Sequence, residues 1–206
     1  MSVAVSATVL AAPAFAQWTQ VNEPKGDDFM QMVIDMAGGN PHLVVAATNG
    51  DIFVSSDSGA GWNKASTVNN SPDLTSSYGK LFAAEGSQGL YSSTDDGTTW
   101  TQLMSGDFGK LYSHDSTVLV TSDFSIYISK DLGATWTQID TPFASASPYC
   151  FATAGSTILV GTSNGIVESG DGGVTWGMSP AAFPGDNINS ICVIDSAIFA
   201  RGITKS

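Results

Sequence analysis

The chain has 206 residues, among them 22 glycines, and a formal net charge of −12. The excess of 19 acidic over 7 basic side chains repels phosphate backbones and anionic membrane surfaces, which argues against nucleic acid and against membrane surfaces as partners. No run reaches the ~20 apolar residues of a membrane-spanning helix. Short apolar runs between turn residues, without capped helical periodicity, predict an all-β protein.

The first segment, Met1 to Ala16, is rich in small apolar residues and ends in Ala14-Phe15-Ala16, like the end of a secretory signal peptide. It lacks the basic start that such peptides carry, and the alternative interpretation is an extra β-strand. We expect residues 1–16 to be a signal-peptide remnant or such a strand, and residues 17–206 to form the folded domain. Export to the periplasm, the cell surface or the medium is the corresponding expectation.

The elements that follow repeat a simple order of strands and turns. Trp18 to Val21 matches the segment after each later turn and predicts a lone outer strand. Asn49-Gly50 is typical of a two-residue β-hairpin and separates two strands of the first complete repeat. The strands of the four repeats are predicted at Phe29–Met36 and His42–Thr48, at Leu74–Tyr78, Lys80–Ala84 and Gly89–Ser93, within Gly109–Ile139, and within Tyr149–Met178. Asn187–Ile194 and Ala197–Thr204 begin a fifth repeat.

An eight-residue phrase, Ser-x-Asp-x-Gly-x-x-Trp, occurs four times in these repeats. Its Asp can accept hydrogen bonds from amides of its own turn, its Gly can take a positive φ, and its Trp can cover the turn. The phrase therefore predicts a structural turn between two strands, with no reactive group presented to a ligand. Its members are Ser55, Asp57, Gly59 and Trp62; Ser93, Asp95, Gly97 and Trp100; Ser129, Asp131, Gly133 and Trp136; and Ser169, Asp171, Gly173 and Trp176.

The tryptophans of successive phrases are 38, 36 and 40 residues apart, close to the ~40-residue period of a four-stranded propeller blade. The phrase resembles the Asp box, or bacterial neuraminidase repeat, of a β-propeller superfamily that includes sialidase-like, sortilin-like and xyloglucanase-like proteins and a photosystem II assembly factor. The resemblance covers residues 18–206. It implies an all-β propeller of four-stranded antiparallel blades, four with an Asp box and a partial or composite fifth. It implies no single function, because the motif is structural throughout the group.

Two interpretations of the fifth repeat are open. Trp18 to Val21 and the last two predicted strands could share a composite fifth blade, with Val3 to Ala11 as its third strand. Alternatively, the chain is an incomplete part of a larger ring. We favour the second slightly, because a third strand without the repeated phrase would be unique in the chain.

Antiparallel order places the four phrases on one rim of the propeller and the connections between blades on the other. Long, irregular connections carry function more often than tight turns, so we expect a ligand at the second rim. This rim is acidic, with phenylalanines between the acids. The residues predicted to bind a ligand are Asp27, Asp28, Asp51, Asp107, Asp123, Asp140, Asp186, Phe108 and Phe124, and they share the rim with Asp73, Glu85, Phe143 and Phe183.

Two carboxylates chosen from Asp27, Asp51, Asp107 and Asp123 could in principle hydrolyse a glycosidic bond. A solvated acidic rim with turn-forming aspartates is the more ordinary explanation. The resemblance to sialidases implies a cluster of arginines that clamps the substrate carboxylate, whereas Arg201 is the only arginine of the chain. We therefore assign no catalytic residue.

The sequence predicts neither a cofactor nor a metal site. The turns at Asp95-Asp96-Gly97 and Asp171-Gly172-Gly173 offer too few oxygens, at the wrong spacing, for calcium. Cys150 and Cys192 occupy the same face of strands in neighbouring repeats. A disulfide is possible after export, but two buried free thiols are expected.

These observations favour a non-enzymatic, exported propeller that binds a protein or carbohydrate partner on its acidic rim. The first alternative is a fragment of a sialidase-like or xyloglucanase-like glycoside hydrolase. The second alternative is a structural module of a longer surface protein.

Overall fold

A computed structural model describes residues 28–35, 41–68, 72–123, 125–140, 146–179, 185–194 and 197–203. The candidate signal segment at 1–16 and the expected outer strand at 18–21 lie outside these ranges, as do Asp27, Phe124, Phe143 and Phe183. The described part of the chain has eighteen strands and no helix. Accordingly, none of it is a helix with the length and hydropathy needed to cross a membrane.

The strands form four four-stranded antiparallel sheets and one two-stranded sheet, which confirms the predicted all-β blades. We number the sheets as blades 1 to 5 in chain order. The bounds are β1 (Phe29–Asp35), β2 (His42–Ala47), β3 (Asp51–Ser55) and β4 (Asn63–Thr67) in blade 1; β5 (Asp73–Ser77), β6 (Lys80–Ala84), β7 (Leu90–Ser93) and β8 (Thr101–Met104) in blade 2; β9 (Leu111–His114), β10 (Thr117–Ser122), β11 (Ser125–Ser129) and β12 (Thr137–Ile139) in blade 3; β13 (Pro148–Ala154), β14 (Thr157–Thr162), β15 (Gly165–Ser169) and β16 (Gly177–Met178) in blade 4; and β17 (Asn187–Ile194) and β18 (Ala197–Ile203) in blade 5.

Within each complete blade the four strands pair in chain order, so the sheet runs up and down. The first strands of successive blades contact one another, for example β1 with β5 and β13 with β17, and therefore lie innermost. The turns between first and second strands share one rim with the repeated phrases, and we name it the turn rim. The hairpins between second and third strands share the opposite rim with the blade-to-blade connections, and we name it the connector rim.

The second strands of blades 2, 3 and 4 are apolar on both faces because each lies between two neighbouring sheets. In blade 2, Leu81 clusters with Val44 of blade 1, whereas the next residue, Phe82, clusters with Leu111 of blade 3. Side chains that face the preceding blade thus alternate along the strand with side chains that face the following blade. Full burial of each such side chain contributes about 1.5 to 3 kcal/mol, so the interfaces between blades hold most of the core.

The repeated phrases form hydrogen-bonded turns in which the serine and the aspartate are linked. In blade 3, the Ser129 hydroxyl donates to Asp131 at 2.8 Å and accepts the Gly133 N–H at 2.7 Å. Thr135 donates its N–H and its hydroxyl to the same carboxylate, at 2.8 and 2.6 Å. The Trp136 Nε1–H donates to the Gly133 carbonyl at 3.1 Å, so the indole closes the turn. The equivalent serine-to-aspartate bonds measure 2.7, 2.7 and 2.8 Å in blades 1, 2 and 4.

The aspartates of these turns make the stability of the fold depend on pH in the acid range. The Thr135 hydroxyl and N–H hold the pKa of Asp131 at about 2, and the Thr99 N–H and hydroxyl do the same for Asp95, against an ordinary value of 3.8. Because the folded pKa lies below the unfolded one, this stabilisation is present above pH 3.8 and is lost as the pH falls towards 2. We expect the melting temperature to stay level down to about pH 4 and to fall below it.

The variant Thr135→Val removes the hydroxyl donor and should raise the folded pKa of Asp131. Its melting temperature should therefore be lower than that of the wild type at neutral pH and should fall less between about pH 4 and about pH 2. Thermal melts at several pH values check this, and identical pH profiles for the two proteins would contradict it.

The prediction that both cysteines are buried is wrong for Cys192. Both thiols are free, and Cys150 is half-buried on β13, where burial raises its pKa to about 11. Cys192 is exposed on β17 because its face of blade 5 points away from blade 4. The sequence register placed the residue on the correct kind of element, but exposure depends on what packs against that element.

Candidate binding site at the connector rim

The connector rim contains a cleft of about 540 Å³ near the innermost strands of blades 3, 4 and 5. Such a volume suits a small ligand or part of a peptide. The chain segments at the starts of β9, β13 and β17, the first strands of these blades, converge on the cleft. Its lining residues are Gly109, Lys110, Thr121, Pro148, Tyr149, Asn187 and Asn189.

The floor of the cleft in blade 3 is fixed by hydrogen bonds between the chain before β9 and the end of β10. The N–H groups of Gly109 and Lys110 donate to the carbonyl and the hydroxyl of Thr121, at 2.9 and 2.8 Å. A Cβ at Gly109 would lie only 2.7 Å from the Thr121 hydroxyl oxygen, so this close approach requires glycine. The residues that line this side are therefore held in place before any ligand arrives.

The charge of Lys110 is balanced by a neighbouring blade. Its Nζ lies 2.7 Å from an Asp73 carboxylate oxygen, and the other oxygen accepts the Leu111 N–H at 2.6 Å. Asp73 thus joins the first strands of blades 2 and 3. The cleft consequently presents an ammonium group that is already neutralised, and none of the described residues that line it is a carboxylate.

Blades 4 and 5 supply apolar surface and two amides to the cleft. Pro148 is buried, whereas the Tyr149 ring is partly exposed and can contact a ligand. Asn187 Oδ1 is buried and accepts no hydrogen bond within the part of the chain that the structure describes. A buried acceptor without a donor costs about 1 to 3 kcal/mol, so a ligand that offers an N–H or O–H there would gain affinity.

The predicted acidic residues of this rim divide into two groups. Asp51 is buried, where hydrogen bonds from Lys64 at 2.7 Å and Thr67 at 2.7 Å lower its pKa, and Asp140 accepts a hydrogen bond from Gln138 at 2.6 Å. Asp51 therefore serves the structure. Asp140 is exposed, as are Asp28, Asp107 and Asp123, and Asp186 is half-buried.

Phe108, predicted to contact a ligand, lies in the core instead. It is only 3 % exposed, because its backbone pairs with Gly86 and brings the ring between blades 2 and 3. The ring makes an edge contact with Tyr127, with centroids 5.4 Å apart. The sequence placed this residue correctly in a connection, but the connection folds inwards at that point.

Sequence reasoning missed Tyr149, Asn187 and Asn189 as lining residues. They occupy ordinary positions at the starts of two inner strands, and Tyr149 lies 38 residues before Asn187 in the chain. Only the rotation from one blade to the next brings them together. The one sequence signal for this arrangement was that these residues occupy similar positions at the starts of the first strands of their blades.

A second cleft, of about 400 Å³, lies on the turn rim between blades 1 and 2. His42 Nδ1 lies 3.1 Å from an Asp96 carboxylate oxygen there, so the two residues link the blades. Lys64, which also lines the cleft, is paired with Asp51. Neither this cleft nor any other described region holds three or more side chains placed to bind a metal ion.

Comparison with solved structures decides the architecture. The chain aligns with YCF48 from Cyanidioschyzon merolae with a TM-score of 0.67 and 16% identity, covering 91% of this chain and 68% of that one. The fold is a β-propeller. A structure described as YCF48 bound to D1 peptide gives a TM-score of 0.66 at 17% identity, with 91% and 67% of the two chains covered. An ancestral GH74 enzyme gives 0.68 at 16% identity, with 92% and 29% covered.

These identities establish a shared fold, and the propeller spans about two thirds of the YCF48 chain and under a third of the GH74 chain. Models of protein families give no match to the chain, and neither do curated protein sequences.

Proposed function

We propose that this β-propeller is a recognition module that binds an extended segment of a partner protein in the connector-rim cleft. The observation that carries the proposal is the buried Asn187 Oδ1, in the cleft that the Tyr149 ring also lines. A peptide N–H would donate to this oxygen, and an apolar side chain of the peptide would pack against the ring. The likeness to a propeller described as bound to a peptide supports it.

The charge of the propeller suggests the chemistry around the bound segment. Asp107 and Asp123 are exposed on the connector rim, and the whole chain has a formal charge of −12. Lys110, in the cleft, is neutralised by Asp73. The negative charge of the propeller would therefore attract a segment flanked by basic residues. This attraction would mainly raise the association rate of the segment.

The test begins with a peptide selected from a displayed random library, with the purified propeller as bait. Asn187→Leu and Tyr149→Ser should each weaken binding by about tenfold, which corresponds to about 1.4 kcal/mol. Tyr78→Ser is the matched control, because Tyr78 is an exposed tyrosine on the turn rim. A library without binders, or binders that respond equally to all three changes, would refute the proposed site.

Charge reversal tests the electrostatic part separately. Asp107→Lys and Asp123→Lys should slow association at low salt, whereas Asp115→Lys should not, since Asp115 is an exposed acid on the turn rim. Surface plasmon resonance at two salt concentrations measures the rates. An equal effect of all three reversals would mean that net charge alone steers the partner.

A glycoside hydrolase is the second candidate, favoured by the likeness to GH74 enzymes. Hydrolysis needs one carboxyl group with a raised pKa as the acid. Hydrogen bonds from Lys64 and Thr67 lower the pKa of Asp51, one of the four acids considered. An assay of xyloglucan with purified protein separates the candidates, and turnover that Asp107→Asn or Asp123→Asn abolishes would overturn the binding proposal.

A further inference from the structure

Three residues that line the connector-rim cleft occupy the same position in three successive repeats. The position is held by Gly109, Tyr149 and Asn189, which follow one another at intervals of 40 residues. All three are exposed, and we name them the bulge residues for the strand geometry described next. The residue before each of them is buried, namely Phe108, Pro148 and Ile188. Blades 3, 4 and 5 therefore repeat a buried residue followed by an exposed one at the cleft.

An irregularity in the strand pairing creates this position in blades 4 and 5. The register of β13 and β14 shifts between Pro148 and Cys150, which makes Tyr149 the extra residue of a β-bulge. The register of β17 and β18 shifts in the same way around Asn189. By contrast, β5 of blade 2 pairs with β6 in even register over its whole length. Bulges of this kind re-aim a side chain and are common beside functional sites.

Blade 3 has the same irregularity with a glycine at the extra position. Thr121 opposes two residues, because its carbonyl accepts the Gly109 N–H at 2.9 Å and its N–H donates to the Lys110 carbonyl at 2.9 Å. A Cβ at Gly109 would lie 2.7 Å from the Thr121 hydroxyl oxygen. Blade 3 therefore presents backbone alone at the position where blades 4 and 5 present a side chain.

The bulges direct Tyr149 and Asn189 out of the interfaces between blades. In a regular strand, Tyr149 would share the face of Phe151, which is 7% exposed in the core between blades 3 and 4. Asn189 would share the face of Ile191, which packs against the core between blades 4 and 5. Instead, Tyr149 is 38% exposed, and both residues line the cleft.

The bulges of blades 4 and 5 are connected directly. The residue after the first bulge contacts the residue before the second, since the Cys150 thiol donates to the Ile188 carbonyl at 3.6 Å. A Cβ at Gly161, which pairs with Cys150, would lie 2.7 Å from the same carbonyl oxygen. The two blades are thus in close contact at this level. Tyr149 and Asn189 are consequently held at a constant separation before a ligand binds.

We propose that the bulge residues determine the sequence specificity of the cleft, with Tyr149 selecting an apolar side chain of the bound segment and Asn189 a polar one. This inference rests on the peptide-binding function proposed above. The Tyr149 ring offers an apolar face, whereas the Asn189 amide has two donor hydrogens and an acceptor oxygen for a hydroxyl or amide side chain. Asn187 Oδ1 has a different role, because the backbone N–H that it would accept is present in every residue except proline.

Selection of peptides from one displayed random library against several variants tests the assignment. Asn189→Tyr should change the preference at one peptide position from polar to apolar, and Tyr149→Asn should change a second position from apolar to polar. Each change should leave the other position as in the wild type. Asn189→Leu, which lacks the bulk of a ring, should shift the same position as Asn189→Tyr. The matched control is Asn63→Tyr, at an exposed asparagine of the outer strand β4, and it should shift neither position.

Two synthetic peptides measure the size of the effect, namely the peptide selected by the wild type and a derivative with leucine at its polar position. The wild type should bind the selected peptide about tenfold more tightly than the leucine derivative, and Asn189→Tyr should reverse this order. The inference is overturned if variants that melt like the wild type keep both wild-type preferences, lose all binding, or shift both positions together. Peptides that Asn187→Leu weakens but whose preferences ignore the bulge residues would leave the binding function standing and remove this inference alone. A library without binders would refute both.

Discussion

Replacement of Trp136 by alanine is expected to lower the free energy of unfolding by about 3 kcal/mol, the loss typical of a large aromatic side chain removed from a packed position. The indole belongs to the core between blades 2 and 3, against the cluster that contains Phe82. It also donates to the Gly133 carbonyl at 3.1 Å. A Cβ on Gly133 would lie 2.8 Å from Phe82 and 3.4 Å from the indole, so the turn, the ring and the core are in direct contact.

Urea denaturation of the wild type, Trp136→Ala and Trp136→Phe measures this contribution. The phenylalanine variant keeps an aromatic ring but removes the Nε1–H donor, so its loss should be about 1 kcal/mol, the value of one hydrogen bond. A Trp136→Ala protein as stable as Trp136→Phe would mean that the indole contributes only its hydrogen bond. Equal stability of all three would show that the turn is not packed against the blade core.

Replacement of Gly161 by valine is expected to destabilise the interface between blades 4 and 5 by about 2 to 3 kcal/mol, as overpacking of a well-filled core does. A Cβ at Gly161 would lie 2.5 Å from the Cys150 sulfur and 2.7 Å from the Ile188 carbonyl oxygen. The second contact is with backbone, which cannot move aside as a flexible side chain can. Blade 5 must therefore separate from blade 4.

Denaturation and thiol reactivity both report this change. Burial raises the pKa of the Cys150 thiol to about 11 in the wild type, so this thiol should react slowly while the exposed Cys192 reacts fast. In Gly161→Val the slow phase should become faster. Gly177→Val is the control, because no atom lies within 4 Å of a Cβ placed there. An unchanged slow phase together with unchanged stability would contradict the close approach of the two blades.

The blade architecture could be predicted because its signals are local and repeated. Each phrase holds its serine, aspartate, glycine and tryptophan within eight residues, and the resulting turn needs no distant partner. The spacing of Trp62, Trp100, Trp136 and Trp176 then gives the length of a blade. Antiparallel order within each blade follows, and with it the assignment of every loop to one of two rims.

The binding surfaces could not be predicted in the same way, because they depend on how one blade packs against the next. Asp51 begins β3 and Phe108 lies in the connection before β9, both on the expected rim. Asp51 is nevertheless paired with Lys64, and Phe108 is buried. Cys192 has the strand position expected from the repeat, but no described element covers it. Local pattern fixes the position of a residue in its blade, whereas the neighbouring blade decides its exposure.

The central functional claim is that ligands meet the connector rim while the repeated turns stay structural. Amide hydrogen exchange of the propeller, with and without the selected library peptide, tests it most directly. We predict new protection at residues 107–111, 146–151 and 186–190, and none at 94–99 or 130–135. Protection confined to the repeated turns would contradict the claim.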